Sequence, residues 1–235
     1  MCGRFTYRYQ WRQLAEMLRL IYWPGVELTP RFNVAPTQDA PVIRLAADGT
    51  REGVMLRWGL VPSWADDPSV GGRNINARAE TIAEKPTYRQ AFAARRCLVP
   101  VSGFYEWRTL ADGKTKQPYW IGRHDGEPFW LAGVWEQSGV GGQTLESFSI
   151  LTTSPNDFMR ALHDRMPVLV APTDVETWLA ATPLNPPERE RLLAPSPMLD
   201  FEMFPVSRRV SSPQAEGPEL IARVEVPPDF QGFLF

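Results

Sequence analysis

The chain has 235 residues, room for one large domain or two small ones, and its 43% hydrophobic and 22% charged residues suit a globular protein with a sizeable core. No apolar run approaches ~20 residues, so no membrane-spanning helix is expected, and the N-terminus lacks a signal-peptide layout. A net charge of −2, from 25 Lys+Arg against 27 Asp+Glu, excludes a bulk electrostatic nucleic-acid binder but allows a local basic groove.

In chain order, Trp11, Leu14, Leu18 and Ile21 fall at helical spacing and predict an amphipathic helix over 11–21. Apolar runs at 42–45 and 54–58 flank Asp48-Gly49 and predict a hairpin. Strands are expected at 97–101, 103–107, 118–122, 128–135, 147–153, 166–170 and 201–206. Asp112-Gly113 and Asp125-Gly126 supply turns, and Val140-Gly141-Gly142-Gln143 a hairpin tip. Helices are expected near 87–94, 156–163, 173–180 and 187–193, with Asp157 and Asp174 near two helix starts, where the backbone dipole favours acidic side chains. The 23 prolines cut the chain into short elements. The result is an α+β fold in a single domain, with the Pro-rich stretch 211–235 expected to be partly disordered.

Cys2 stands out by position. Removal of Met1 leaves a free α-amine beside the thiol, with reference pKa values of about 7.7–8.0 and 8.5, so both have nucleophilic forms near neutral pH. Together they can capture an aldehyde: the amine forms an imine and the thiolate closes a five-membered thiazolidine. An N-terminal nucleophile using its own amine as base also suits amide hydrolysis. A cysteine placed there by chance is the plain alternative.

Other candidates carry two readings each. Glu106, within Gly103-Phe104-Tyr105-Glu106-Trp107, is a general acid or base if it faces inward and a surface residue if it faces out. His163 ends a predicted helix, from which it reaches a cleft or caps the helix; His124 reads as an exposed turn. Asn76 offers an amide to orient a nucleophile, or occupies a turn. Trp58, Trp64 and Trp107 stack on unpaired bases, at roughly 1–3 kcal/mol each, or belong to the core. Two His and two Cys at no metal-ligand spacing give no reason to expect zinc. Cys2 and Cys97 cannot form a disulfide framework, which points to a reducing cytoplasm.

Several ordered segments resemble the SOS-response-associated peptidase (SRAP) family. They are Met1-Cys2-Gly3-Arg4-Phe5, Arg31-Phe32-Asn33-Val34-Ala35-Pro36-Thr37 and Trp58-Gly59-Leu60-Val61-Pro62-Ser63-Trp64. Next come Asn74-Ile75-Asn76-Ala77-Arg78-Ala79-Glu80-Thr81 and Cys97-Leu98-Val99-Pro100-Val101-Ser102-Gly103-Phe104-Tyr105-Glu106-Trp107. His163-Asp164-Arg165-Met166-Pro167, Pro205-Val206-Ser207 and Gly217-Pro218-Glu219-Leu220-Ile221 complete the set. The segment around Gly71-Gly72-Arg73 is assigned no role.

The resemblance implies one compact β-rich domain over 1–221, with a mixed, largely antiparallel, barrel-like sheet and short flanking helices, followed by a tail over 222–235. It implies a groove for single-stranded DNA and a thiazolidine link between Cys2 and the aldehyde of an abasic site. On that reading Cys2 is the nucleophile, Asn76 orients it, Glu106 moves protons and His163 assists ring opening and reversal. Arg4, Arg78 and Arg165 contact phosphates, while Pro36, Trp64 and Trp107 shape the wedge at the lesion. The partner is abasic single-stranded DNA, met by a monomer at the nucleoid without metal, membrane or other cofactor. Two other classes stay open: a cysteine (auto)peptidase or N-terminal-nucleophile amidohydrolase, and a non-covalent single-strand-binding module.

Overall fold

The computed structural model describes residues 2–226, without the side chain of Val140. In chain order the elements are β1 (Phe5–Tyr7), α1 (Trp11–Leu18), β2 (Arg31–Val34), β3 (Asp39–Leu45), β4 (Arg51–Trp58), β5 (Asn76–Arg78) and α2 (Arg89–Ala94). Then follow β6 (Arg96–Val101), β7 (Gly103–Thr109), β8 (Lys116–Arg123), β9 (Phe129–Val140), β10 (Gln143–Thr153) and α3 (Asp157–Arg160). The last are β11 (Met166–Pro167), β12 (Leu169–Val170), α4 (Val175–Leu179), α5 (Pro186–Leu193) and β13 (Phe201–Pro205).

Two sheets build the α+β fold. In the first, the order β4-β3-β6-β9-β10 closes on itself, because β10 pairs in parallel with β4 at Ser147–Phe148 against Arg57–Trp58. The five strands form a barrel, with β5 and β11 added on β10 and β12 on β9. Its longest hairpin, β9–β10, turns at Gly141 and Gly142 with φ of 57° and 78°, the left-handed pair that a tight two-residue hairpin needs. The second sheet, in the order β13-β8-β7-β1-β2, is antiparallel throughout.

Ser102 is the single residue at which the chain leaves the barrel for the second sheet. Its N–H donates to Thr6 O at 2.8 Å, and its hydroxyl accepts the Arg8 N–H at 2.9 Å. The second sheet is covered on both faces. Phe104 and Ile121 join the main core with the barrel, while Tyr105 and Trp120 pack with Phe204, Val206, Val210 and Leu220 of the C-terminal segment. Trp120 lies across the facing pair Gly103 and Gly122, where an added Cβ would meet its ring at 2.3 and 2.2 Å.

The expected hairpin at Asp48-Gly49, the strands after residue 97 and the acidic starts of α3 and α4 are present. The first helix is shorter than its apolar spacing predicts. It ends at Leu18, Arg19 turns left-handed at φ 53°, and Ile21 is 57% exposed while its N–H pairs with Arg51 O. The strand expected at 166–170 is split, because β11 pairs with β10 and β12 with β9. Three short strands, β1, β2 and β5, had no periodic signal; three or four residues are too few to show one. The stretch from 211 is ordered where it is described: Leu220 is buried and Val224 N–H donates to Pro205 O at 3.0 Å. Residues 227–235 of the expected tail lie outside the described residues.

Candidate active site

Glu106 and Phe104 alternate onto the same face of β7, and the sheets that enclose that strand leave Glu106 2% exposed. The inward reading is the one the fold realises. Burial holds the Glu106 carboxyl above its ordinary range, with the nearby His163 opposing that rise. Glu106 Oε2 is 4.0 Å from His163 Nε2.

His163 takes the cleft-facing reading, because α3 ends at Arg160 with Ala161 as its cap and His163 lies beyond it. Its backbone N–H donates to Met159 O at 2.9 Å and closes the last turn after α3, while its ring reaches Glu106. Nδ1 accepts the backbone N–H of Arg165 at 3.0 Å and also stands 2.8 Å from Asp164 Oδ1. The two contacts ask for opposite protonation of Nδ1. The backbone donor is held by the fold, whereas the Asp164 side chain is exposed and its ion pair weak. The Arg165 contact therefore governs, and the neutral ring carries its proton on Nε2, toward Glu106.

Cys2 is fully buried, and its backbone carbonyl accepts the Asn76 Nδ2–H at 2.8 Å. Asn76 is placed by β5, which pairs in parallel with Ile150–Thr152 of β10. Its Oδ1 is buried and has no hydrogen-bond partner among the described residues. Burial, then the Glu106 charge, push the Cys2 thiol well above its ordinary range. The structure thus gathers Cys2, Asn76, Glu106 and His163, which are 161 positions apart at the extremes of the chain order, around one centre. Beside them opens a cleft of about 330 Å³ lined by Glu106, Trp107, Lys116, His163 and Ser211.

The other candidates are placed differently. Trp107 is half-buried and donates through Nε1 to Ser211 Oγ at 3.1 Å. Arg4 bonds Asn33 Oδ1 at 2.8 Å, Val210 O at 2.7 Å and Ser211 O at 3.1 Å, so it fastens the C-terminal segment. Arg165 is paired with Glu80 through both terminal nitrogens, at 2.5 and 2.9 Å, and donates to Thr152 O at 2.6 Å. Arg78 is exposed at the end of β5, without an ion pair among the described residues. Pro36 sits half-buried in the turn after β2, and Trp64 is 67% exposed in the loop between β4 and β5. No described contact ties either to the central four. Trp58 is a core residue rather than a base-stacking one: it is fully buried and its Nε1–H donates to Ile75 O at 2.9 Å. The Gly71 backbone packs on Gly59, where an added Cβ on either would come within 2.6 Å of the other's carbonyl oxygen.

Lys116, Ser211 and Asn33 were missed as site residues. Asn33, fully buried, donates to Val210, Ser212 and Ala215 carbonyls and so holds the wall that carries Ser211. Asp112-Gly113 marks the turn that returns β8 beside β7, and that register was the available signal for Lys116. Among the described residues no group of three or more His, Cys, Asp or Glu is placed to hold a metal ion, and no helix is long and apolar enough to cross a membrane.

A closed barrel with a second sheet laid on it, holding a buried cysteine and carboxylate beside a part-exposed histidine, defines an α+β protein with one candidate centre. The chain belongs to the SOS response associated peptidase (SRAP) family, whose model matches residues 1–213. It is 39% identical over 224 residues to the abasic site processing protein YoqW of Bacillus subtilis strain 168, covering 94% of this chain and 99% of that protein. It is 29% identical over 231 residues to the abasic site processing protein YedK of Escherichia coli K12, covering 95% and 100%. A solved structure from Bacteroides thetaiotaomicron superposes with a TM-score of 0.83 at 26% identity, covering 95% of this chain and all of that one.

Proposed function

We propose that this protein binds single-stranded DNA and captures the aldehyde of an abasic site through Cys2, once Met1 has been removed. The observation that carries the reading is the grouping of the Cys2–Asn76 pair with Glu106 and His163, the last two lining the cleft. The names of the relatives, abasic site processing proteins, support the substrate.

The chemistry balances with one water lost. The α-amine adds to the aldehyde carbon, the resulting hydroxyl leaves as water, and the imine accepts the thiol sulfur to close a thiazolidine. The buried thiol is protonated at neutral pH, so it needs a base at the closing step. Glu106 fills both roles: its raised carboxyl gives a proton to the leaving hydroxyl, and the carboxylate then takes the thiol proton. His163 Nε2–H hydrogen-bonds the sugar ring oxygen as the ring opens, the C1 hydroxyl losing its proton and the ring oxygen gaining one, so the aldehyde forms with no net proton change; the same groups run the reaction backwards in reversal. Asn76 holds the Cys2 carbonyl, and its Oδ1 is a buried acceptor for the freed amine.

The test is incubation with an abasic oligonucleotide, followed by a denaturing gel. The processed protein should give a heat-stable adduct. Cys2→Ala should give none, unless borohydride traps its imine, and should keep its affinity for single strands. A form with an uncleavable N-terminal tag should give none either, because an acylated nitrogen is an amide and cannot form an imine. A Cys2→Ala protein with a stable adduct in the absence of reductant sinks the proposal, as does a tagged protein as fast as the processed one.

A further inference from the structure

An abasic nucleotide in a strand carries a phosphate on each side of its sugar. A cleft that holds the sugar must therefore receive an anion on two flanks; this requirement rests on the function proposed above. Arg78 and Arg165 stand together near Glu80, both close enough to hold its carboxyl below the ordinary range, and Arg165 adjoins the cleft through the bond of its backbone N–H to His163. They leave the second flank without a cation.

Another wall of the cleft is built by the start of β8 and by the 3-10 turn Arg208–Ser211. Lys116 lines the cleft there, exposed and without an ion pair among the described residues. Ser211 lines it too. Its Oγ accepts the Trp107 Nε1–H, so its own O–H remains a donor. The backbone behind Ser211 is fixed, with Arg4 bonding the carbonyls of Val210 and Ser211 and Asn33 bonding that of Val210. Arg208 adds positive charge on the same wall, within electrostatic reach of Asp112 in the β7–β8 turn.

We infer that Lys116 and Ser211 form a second phosphate seat, taking one of the two phosphates that flank the abasic sugar while Arg78 and Arg165 take the other. An ammonium with three donors and a hydroxyl on a fixed backbone suit the non-bridging oxygens of a phosphodiester. Such a contact sets the register of the strand and is indifferent to base sequence.

The experiment uses single strands with one tetrahydrofuran in place of the abasic sugar, which cannot react with Cys2. One flanking phosphate at a time is replaced by a neutral methylphosphonate, and binding is read by fluorescence anisotropy. The double variant Lys116→Gln, Ser211→Ala should bind the unmodified strand roughly tenfold more weakly and lower the slope of log K against log salt by roughly 0.7. Neutralising one phosphate should weaken the wild type and leave this variant unchanged, and Arg78→Ala should lose its response to the other phosphate instead. Lys116→Arg should bind like the wild type. Both substituted side chains are exposed, so an unchanged melting temperature certifies the fold.

A double variant that binds like the wild type overturns the seat, as does one that still responds to both phosphates. So does a double variant insensitive to the same phosphate as Arg78→Ala. Wild-type protein that shows the expected pattern here yet never forms an adduct with a true abasic strand refutes the covalent chemistry and leaves the seat standing.

Discussion

Desolvation disfavours the charged form of a carboxyl group, and Glu106 is enclosed between the barrel and the second sheet. Its proton is therefore held more tightly in the folded protein than in the unfolded chain, even with His163 opposing. Stability attached to that proton is fully present below the ordinary carboxylate value of about 4.3 and is lost as pH rises through the raised native value. Glu106→Gln keeps the shape and removes the titration. The variant should melt above the wild type at neutral pH, with the gap closing below about pH 4. It should also form the adduct roughly 10²–10⁴-fold more slowly if proton transfer limits the rate. Melting curves for both proteins across the pH range check this, and parallel curves refute the linkage.

At the scale of elements, one buried amide ties three segments together. Asn33 on β2 accepts from Arg4 through Oδ1 and donates from Nδ2 to the carbonyls of Val210, Ser212 and Ala215. The Nδ2 has two hydrogens for these three acceptors, so they share it. Asn33→Ala removes this hub and leaves buried carbonyls and a guanidinium without it, at a cost of roughly 1–3 kcal/mol for each group left unsatisfied. The melting temperature should fall, and limited proteolysis should cut first within 207–223, where the segment has lost its anchor. Trp107 loses the support of Ser211 when that segment opens, so strand affinity should fall as well. A variant with wild-type melting and no new cleavage would show that apolar packing of Val210 and Leu220 alone holds the segment.

For the whole molecule, the charge of −2 leaves little long-range attraction for DNA, so the proposed binding of single strands rests on a few local contacts. Arg78 is the first candidate for such a contact, exposed at the end of β5 and without an ion pair among the described residues. Arg78→Ala should weaken single strands of any sequence alike and reduce the slope of log K against log salt by roughly 0.7. Titrations at several salt concentrations measure this, and an unchanged slope would move the groove elsewhere. Arg165→Ala should differ by lowering stability too, because its guanidinium links Glu80 to Thr152 O and its position fixes His163.

The residues by themselves determined the α+β class, the hairpins at Asp48-Gly49 and Gly141-Gly142, and the candidate set Cys2, Asn76, Glu106 and His163. Those rest on local turn chemistry, on period-two alternation and on ordered motifs, all of which can be read along a chain. Alternation allowed Glu106 either face, and only the stacking of the C-terminal segment and the barrel on opposite sides of β7 closed both to solvent. Aromatic composition could not separate Trp58, sunk in the core, from Trp64, set out on a loop. Barrel closure through a two-residue parallel contact between β4 and β10 joins positions some ninety apart, beyond any local pattern. The same holds for Lys116 and Ser211, which meet in one cleft because β8 and the end of the chain are packed against β7, a contact that tertiary folding alone creates.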